Sequence, residues 1–249
     1  MRTVSALGRA WQRLTTRRVV VPVAAVSALS GERRPLIAEA LGEQRHAGAR
    51  LDQVDGTTCG SAVLLAMQTW ADPDRLAELE VREVNAAGLT RGFAARFDAR
   101  QKEIHRQTNR LWPQALGTSP WGFVRWLHRH VPDAGRYRLR WVDDASVDDT
   151  DLVIRQVEAA LAARRPVPLL VGTLVPRHYT LALRIADDGT WRVYEPTSGQ
   201  VRALDPGLIR TGTLGPVLGF DRLHVAFIPS PGPPSTGAAG GRNPVGRAS

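Results

Sequence analysis

The chain has 249 residues, enough for one or two domains with a sizeable core, and its 43% hydrophobic and 23% charged content is that of a globular protein. One cysteine, Cys59, excludes an intramolecular disulfide, and no apolar run reaches the ~20 residues of a membrane-spanning helix. The net charge of +9 is almost wholly arginine, with Lys102 the only lysine. The arginines are interleaved with acids, as in "FDARQKEIHRQTNR", which fits a coding bias toward arginine better than a dedicated nucleic-acid surface.

Residues 1–34 read as a basic, loosely ordered extension. Met1 to Arg18 has the spacing of a short amphipathic helix, with Leu7, Trp11 and Leu14 on one side. "VVVPVAAVSALS" follows Arg17-Arg18 like the apolar part of an export signal, but Pro22 interrupts it and no clean small-residue cleavage site follows. The expected location is therefore the cytoplasm, with secretion kept open.

Residues 35–228 read as the folded domain, helices first. "PLIAEALGEQR" has helical spacing. The apolar run after Cys59 predicts a helix to about Trp70, and Asp72-Pro73 starts another over "PDRLAELEVREV". A longer helix, "TRGFAARFDARQKEIHRQTNR", turns Phe93, Phe97 and Ile104 to one face. "SPWGFVRWLHRHV" begins at an N-cap, Thr118 or Ser119.

After a helix over "DTDLVIRQVEAALAARR", the period becomes that of strands: "PVPLLVG", "HYTLALRI", "WRVYE" and "LHVAFI". The middle two form a hairpin turning at Asp187-Asp188-Gly189. Tyr179, Leu181, Leu183 and Ile185 share one face, and His178, Thr180, Ala182 and Arg184 the other. Helices followed by strands without βα alternation predict an α+β fold. Residues 229–249, rich in Pro, Gly and Ser, read as a disordered tail.

Cys59 follows a turn-like run, Asp55-Gly56-Thr57-Thr58, and opens a helix. A thiol attacks as thiolate, and a helix N-terminus with a proton-accepting histidine favours that form. The bland alternative is a buried core cysteine. Of the six histidines, His46, His105, His128 and His130 sit in polar stretches or at a helix end, and His224 opens a strand that could be core. His178, at the start of a hairpin strand, has the rigid setting a catalytic base needs. No metal is expected, because Cys59 has no second cysteine nearby and no His-x-x-x-His pair occurs. "GTLGPVLG" and "GAAGG" lack the strand-before, helix-after setting of a phosphate loop, and no cofactor is expected.

Gln53 lies six residues before Cys59-Gly60, His178-Tyr179 starts a distant strand, and Glu195-Pro196 ends the return strand. In this order the residues resemble the papain-like cysteine peptidases, most closely the bacterial branch that includes the leader-cleaving domains of bacteriocin exporters. The resemblance runs from about Leu51 to Gly199 and implies a helical first half packed on an antiparallel sheet. It also implies hydrolysis of peptide bonds in a peptide or protein substrate, with Cys59 as nucleophile, His178 as base and acid, Glu195 as the residue orienting His178, and Gln53 as oxyanion donor. Two positions depart from the pattern. The second cysteine and aromatic of the papain signature are missing after the nucleophile, and Glu195 stands where Asp or Asn is usual. Acyl transfer to an amine, or a silent binding protein on the same fold, are the alternatives left open.

Overall fold

The computed structural model describes residues 4–15, 36, 39–81, 83–84, 90–109 and 117–230. Its frame is one antiparallel sheet of seven strands in the order β1-β10-β9-β8-β7-β11-β6. In chain order these are β1 (Gly42–Glu43), β6 (Tyr137–Trp141), β7 (Val167–Gly172), β8 (Pro176–Ile185), β9 (Trp191–Glu195), β10 (Gln200–Leu204) and β11 (Arg222–Pro229). Two small hairpins stand apart, β2 (Arg45–His46) with β3 (Ala49–Arg50), and β4 (Glu83–Val84) with β5 (Thr90–Arg91). The helices are α1 (Val4–Thr15), α2 (Cys59–Ala71), α3 (Pro73–Glu80), α4 (Phe93–Thr108), α5 (Pro120–His130), α6 (Val147–Ala162), α7 (Gly207–Thr211) and α8 (Gly215–Leu218). The α+β class follows.

Two apolar cores lie on the two faces of the sheet. One gathers α2, α3, α4 and α5 against Tyr179, Leu181, Tyr194 and Phe227. The other gathers α6, α7 and α8 against Val171, Ala182, Trp191 and Ala226. With both faces covered, β7 and almost all of β11 are buried at every residue, which is why they read as unbroken apolar runs. α2 is buried over all thirteen residues. A single inward face was expected, but α2 is the central helix of its core.

Several helix starts follow their capping chemistry. Asp72 accepts the Asp74 N–H before Pro73, and Ser119 accepts the Gly122 N–H before Pro120. The helix expected over "PLIAEALGEQR" is not seen where the structure describes it. Residues 42–50 carry β1, β2 and β3, and Gly42, Ala47 and Gly48 all adopt positive φ, which no α-helix allows. β6 and β10, which alternation alone did not single out, complete the sheet. On β8 the expected alternation breaks at Leu183, where a bulge between Ala182 and Arg184 carries Ile185 to the opposite core.

The N-terminal stretch, expected to be loose, docks as α1 over the part the structure describes. Its polar side faces the protein and Leu7, Trp11 and Leu14 face outward. Gln12 donates to the Leu139 carbonyl (2.7 Å) and accepts the Trp141 N–H (3.2 Å), so one amide side chain covers the free edge of β6. Arg9, Arg13 and Arg140 converge on the buried Asp149 carboxylate at 2.9–3.0 Å. The signal-like run over 19–30 and the tail over 231–249 lie outside the described residues. No helix among the described residues is long and apolar enough to cross a membrane.

Candidate active site

Cys59 is the first residue of α2 and is buried. The Thr58 hydroxyl before it is spent on Asp55, donating to its carbonyl and accepting its N–H, both at 3.1 Å. It therefore does not cap α2, and the first-turn N–H groups beside the sulfur carry no side-chain cap. Gly60, directly after Cys59, serves packing. A Cβ on Gly60 would lie 2.7 Å from Thr118 and 3.1 Å from the Tyr179 ring, so glycine lets α2 start hard against both.

His178 and Glu195 meet across the hairpin. Continuing the register past Leu181–Tyr194 places Glu195 opposite Thr180, one diagonal step from His178, and the longer glutamate side chain spans it. The His178 Nε2 to Glu195 Oε1 distance is 2.7 Å, with both side chains buried. Cys59 is the other group that acts on the imidazole, and it favours the charged ring. With Nε2 on the carboxylate, Nδ1 is the nitrogen left for the sulfur. Phe220 packs on the ring with centroids 5.7 Å apart.

Burial alone would lower the His178 pKa. The hydrogen bonds and negative charge of Cys59 and Glu195 outweigh it and push it up to about 9. Burial likewise favours the neutral form of Glu195, but His178, Ser198 and the Thr197 N–H hold its carboxyl well below the usual carboxylate range. His178 is therefore an imidazolium at neutral pH, with the Glu195 carboxylate on its Nε2 side.

Glu195 has a support that the sequence reading missed. The Thr197 N–H donates to Oε1 (2.8 Å), the Ser198 N–H to Oε2 (2.9 Å) and the Ser198 hydroxyl to Oε2 (2.6 Å). Arg202 stands 3.6 Å from Oε2 and donates to the Ser198 hydroxyl at 3.0 Å. The signal was present in "EPTSG", whose Pro, Thr, Ser and Gly spell a turn that folds back on its first residue. Gly199 closes it at φ 59°, close against Leu51 and Asp52.

Gln53 is brought to the same turn. Its N–H donates to the Pro196 carbonyl (2.8 Å), and its side-chain oxygen accepts from the Thr197 hydroxyl (3.3 Å). The side-chain nitrogen donates one hydrogen to the Asp55 carbonyl (2.8 Å), and an amide nitrogen carries a second. Tyr194 holds the Leu51 carbonyl and Gln101 the Asp52 carbonyl, fixing the loop that leads to Cys59.

The remaining histidines take structural places. His46 pairs with Glu80 (2.7 Å), His128 accepts the Tyr137 N–H, and His224 bonds Ser5 of α1 (2.8 Å). His105, expected on a solvated helix face, is buried against Asn109 because α4 has apolar neighbours on more than one side. No group of three metal-ligating side chains occurs among the described residues. A cavity of about 860 Å³ lies between α4 and α5 and includes none of the four predicted site residues. A second, about 570 Å³, borders Thr57 and Thr58 directly before Cys59. Compared with known proteins, the chain matches no family model and no curated protein.

Proposed function

We propose that the protein is a papain-like thiol hydrolase that cleaves peptide (amide) bonds through an acyl-enzyme. The observation that carries this reading is one buried imidazole bonded to a carboxylate through Nε2 and made more basic by the chain's only cysteine, which stands at an uncapped helix N-terminus.

The Cys59 sulfur, its proton already carried by His178, attacks the carbonyl carbon, and negative charge gathers on the carbonyl oxygen. The Cys59 backbone N–H and the second amide hydrogen of Gln53 are the donors nearest to hand for that oxygen. As the C–N bond breaks, imidazolium His178 gives its proton to the leaving amine, and a thioester remains. Water then attacks the thioester while His178 takes its proton. The C–S bond breaks, the acid leaves, and Cys59 and His178 return to their starting forms. Glu195 holds the ring in place and stabilises its charged form throughout.

A peptide-library cleavage screen with Cys59→Ser as the blank tests this. The expected result is wild-type cleavage, a blank that is silent, and a thioester adduct seen by intact mass under acid quench. Equal product from wild type and Cys59→Ser would end the proposal.

A further inference from the structure

Beside the nucleophile, the 570 Å³ cavity is formed by the loop leading to α2 and one face of α4. Its described lining includes nothing from β8 or β9, the strands that carry His178 and Glu195. This gives the cleft a direction, on the proposed hydrolase reading. His178 protonates the leaving amine, so the leaving side of a substrate lies toward the sheet. The acyl side then lies toward α4, in this cavity.

The charge there is uneven. Lys102 and Arg106 stand at i and i+4 on α4, both exposed and both lining the cavity. Neither forms an ion pair among the described residues, whereas Arg96 and Arg100 on the same helix are bound to the Leu79 carbonyl and to Glu103 and Gln68. Like charges at this spacing repel and cost the helix a little stability. Asp55, the acid in the lining, accepts from the Thr57 N–H (2.9 Å) and hydroxyl (2.7 Å), and its charge and that of Asp98, one turn before Lys102, reach Lys102 without a direct ion pair. Arg106 also lines the larger neighbouring cavity, together with Arg125 and Arg129, so the cationic lining continues away from Cys59.

We propose that this cavity is an acyl-side subsite for an acidic side chain, with Lys102 and Arg106 as its specificity-determining residues. The substrate class is a peptide with Asp or Glu on the acyl side of the bond to be cut. Salt should weaken the preference, because both cations face solvent.

The test uses full-length Cys59→Ser protein and labelled peptide pools that fix Glu, Gln or Lys at one position at a time. Tighter binding of the Glu pools than of the Gln pools is expected, by about tenfold for two exposed charge contacts. The double variant Lys102→Ala/Arg106→Ala in the same background should lose that preference while thermal unfolding shows it folded. Because Lys102 is the only lysine, acetylating the protein's amines gives a second route and should reduce the preference without a substitution. Equal binding of Glu and Gln pools, or a preference that survives in the double variant, overturns the subsite. If the pools bind selectively but wild type cuts none of them, the hydrolase reading fails and the acidic-peptide site stands.

Discussion

Replacing Glu195 with Gln removes one charge from the centre of the site and leaves its shape almost intact. The folded environment raises His178 from 6.5 to about 9. That rise of about 2.5 units corresponds to roughly 3 kcal/mol favouring the imidazolium. Cys59 and Glu195 share the work. Removing the Glu195 charge takes away part of that support, so the glutamine variant should move the alkaline limb of kcat/KM down from about pH 9. Stability changes as well. The carboxylate accepts from His178, Thr197, Ser198 N–H and Ser198 hydroxyl, but an amide offers one oxygen in place of two. A backbone N–H of the turn then loses its acceptor, at about 1–3 kcal/mol. Because the folded His178 pKa is raised, its stabilisation is full below about pH 6.5 and disappears as pH rises through about 9, and the variant should flatten that slope. Initial rates and melting temperatures across pH 5–10 read both effects. An alkaline limb that stays near pH 9 in Glu195→Gln would refute the assignment of Glu195 to His178.

Other perturbations follow from the same geometry. Gly60→Ala puts a methyl 2.7 Å from Thr118 and should cost about 1–3 kcal/mol in urea unfolding, with activity falling as the start of α2 shifts. Gln53→Ala should lower kcat by about 100-fold or more with KM little changed, and an unaltered kcat would remove it as an oxyanion donor. Asp149→Asn leaves three arginines facing a neutral amide and should cost about 3–5 kcal/mol by thermal unfolding. Burial opposes ionisation of Asp149, but its arginine and backbone bonds win and depress its pKa. Its stabilisation is therefore present above about pH 4 and fades as pH falls further, so the variant should lose that acid sensitivity.

The sequence made the hairpin, the starts of α2, α3 and α5 and the meeting of His178 with Glu195 legible for separate reasons. Asp72 and Ser119 before proline are local signals that tertiary structure did not override. The Asp187-Asp188-Gly189 turn set the register that brings Glu195 to a diagonal from His178. β6 carries arginine at alternate positions, β10 has only Val201 and Leu204 buried, both are short, and only their neighbours make them strands. The placement of α1 depends on Asp149, 140 residues from Arg9, a pairing no local pattern encodes. The support of Glu195 by Ser198 and Arg202 was hidden likewise, because a turn sequence shows that the chain bends but not which carboxylate it encloses.

The central claim is that His178 holds Cys59 as a reactive thiolate, and alkylation of Cys59 across pH measures it most directly. With the imidazolium alongside, wild type should react with iodoacetamide at pH 6.5 many-fold faster than a variant that lacks it. In His178→Ala the rate at pH 6.5 should collapse and rise steadily with pH, as for an ordinary thiol. A wild-type rate that already climbs in this way, or one that His178→Ala leaves unchanged, would contradict the account.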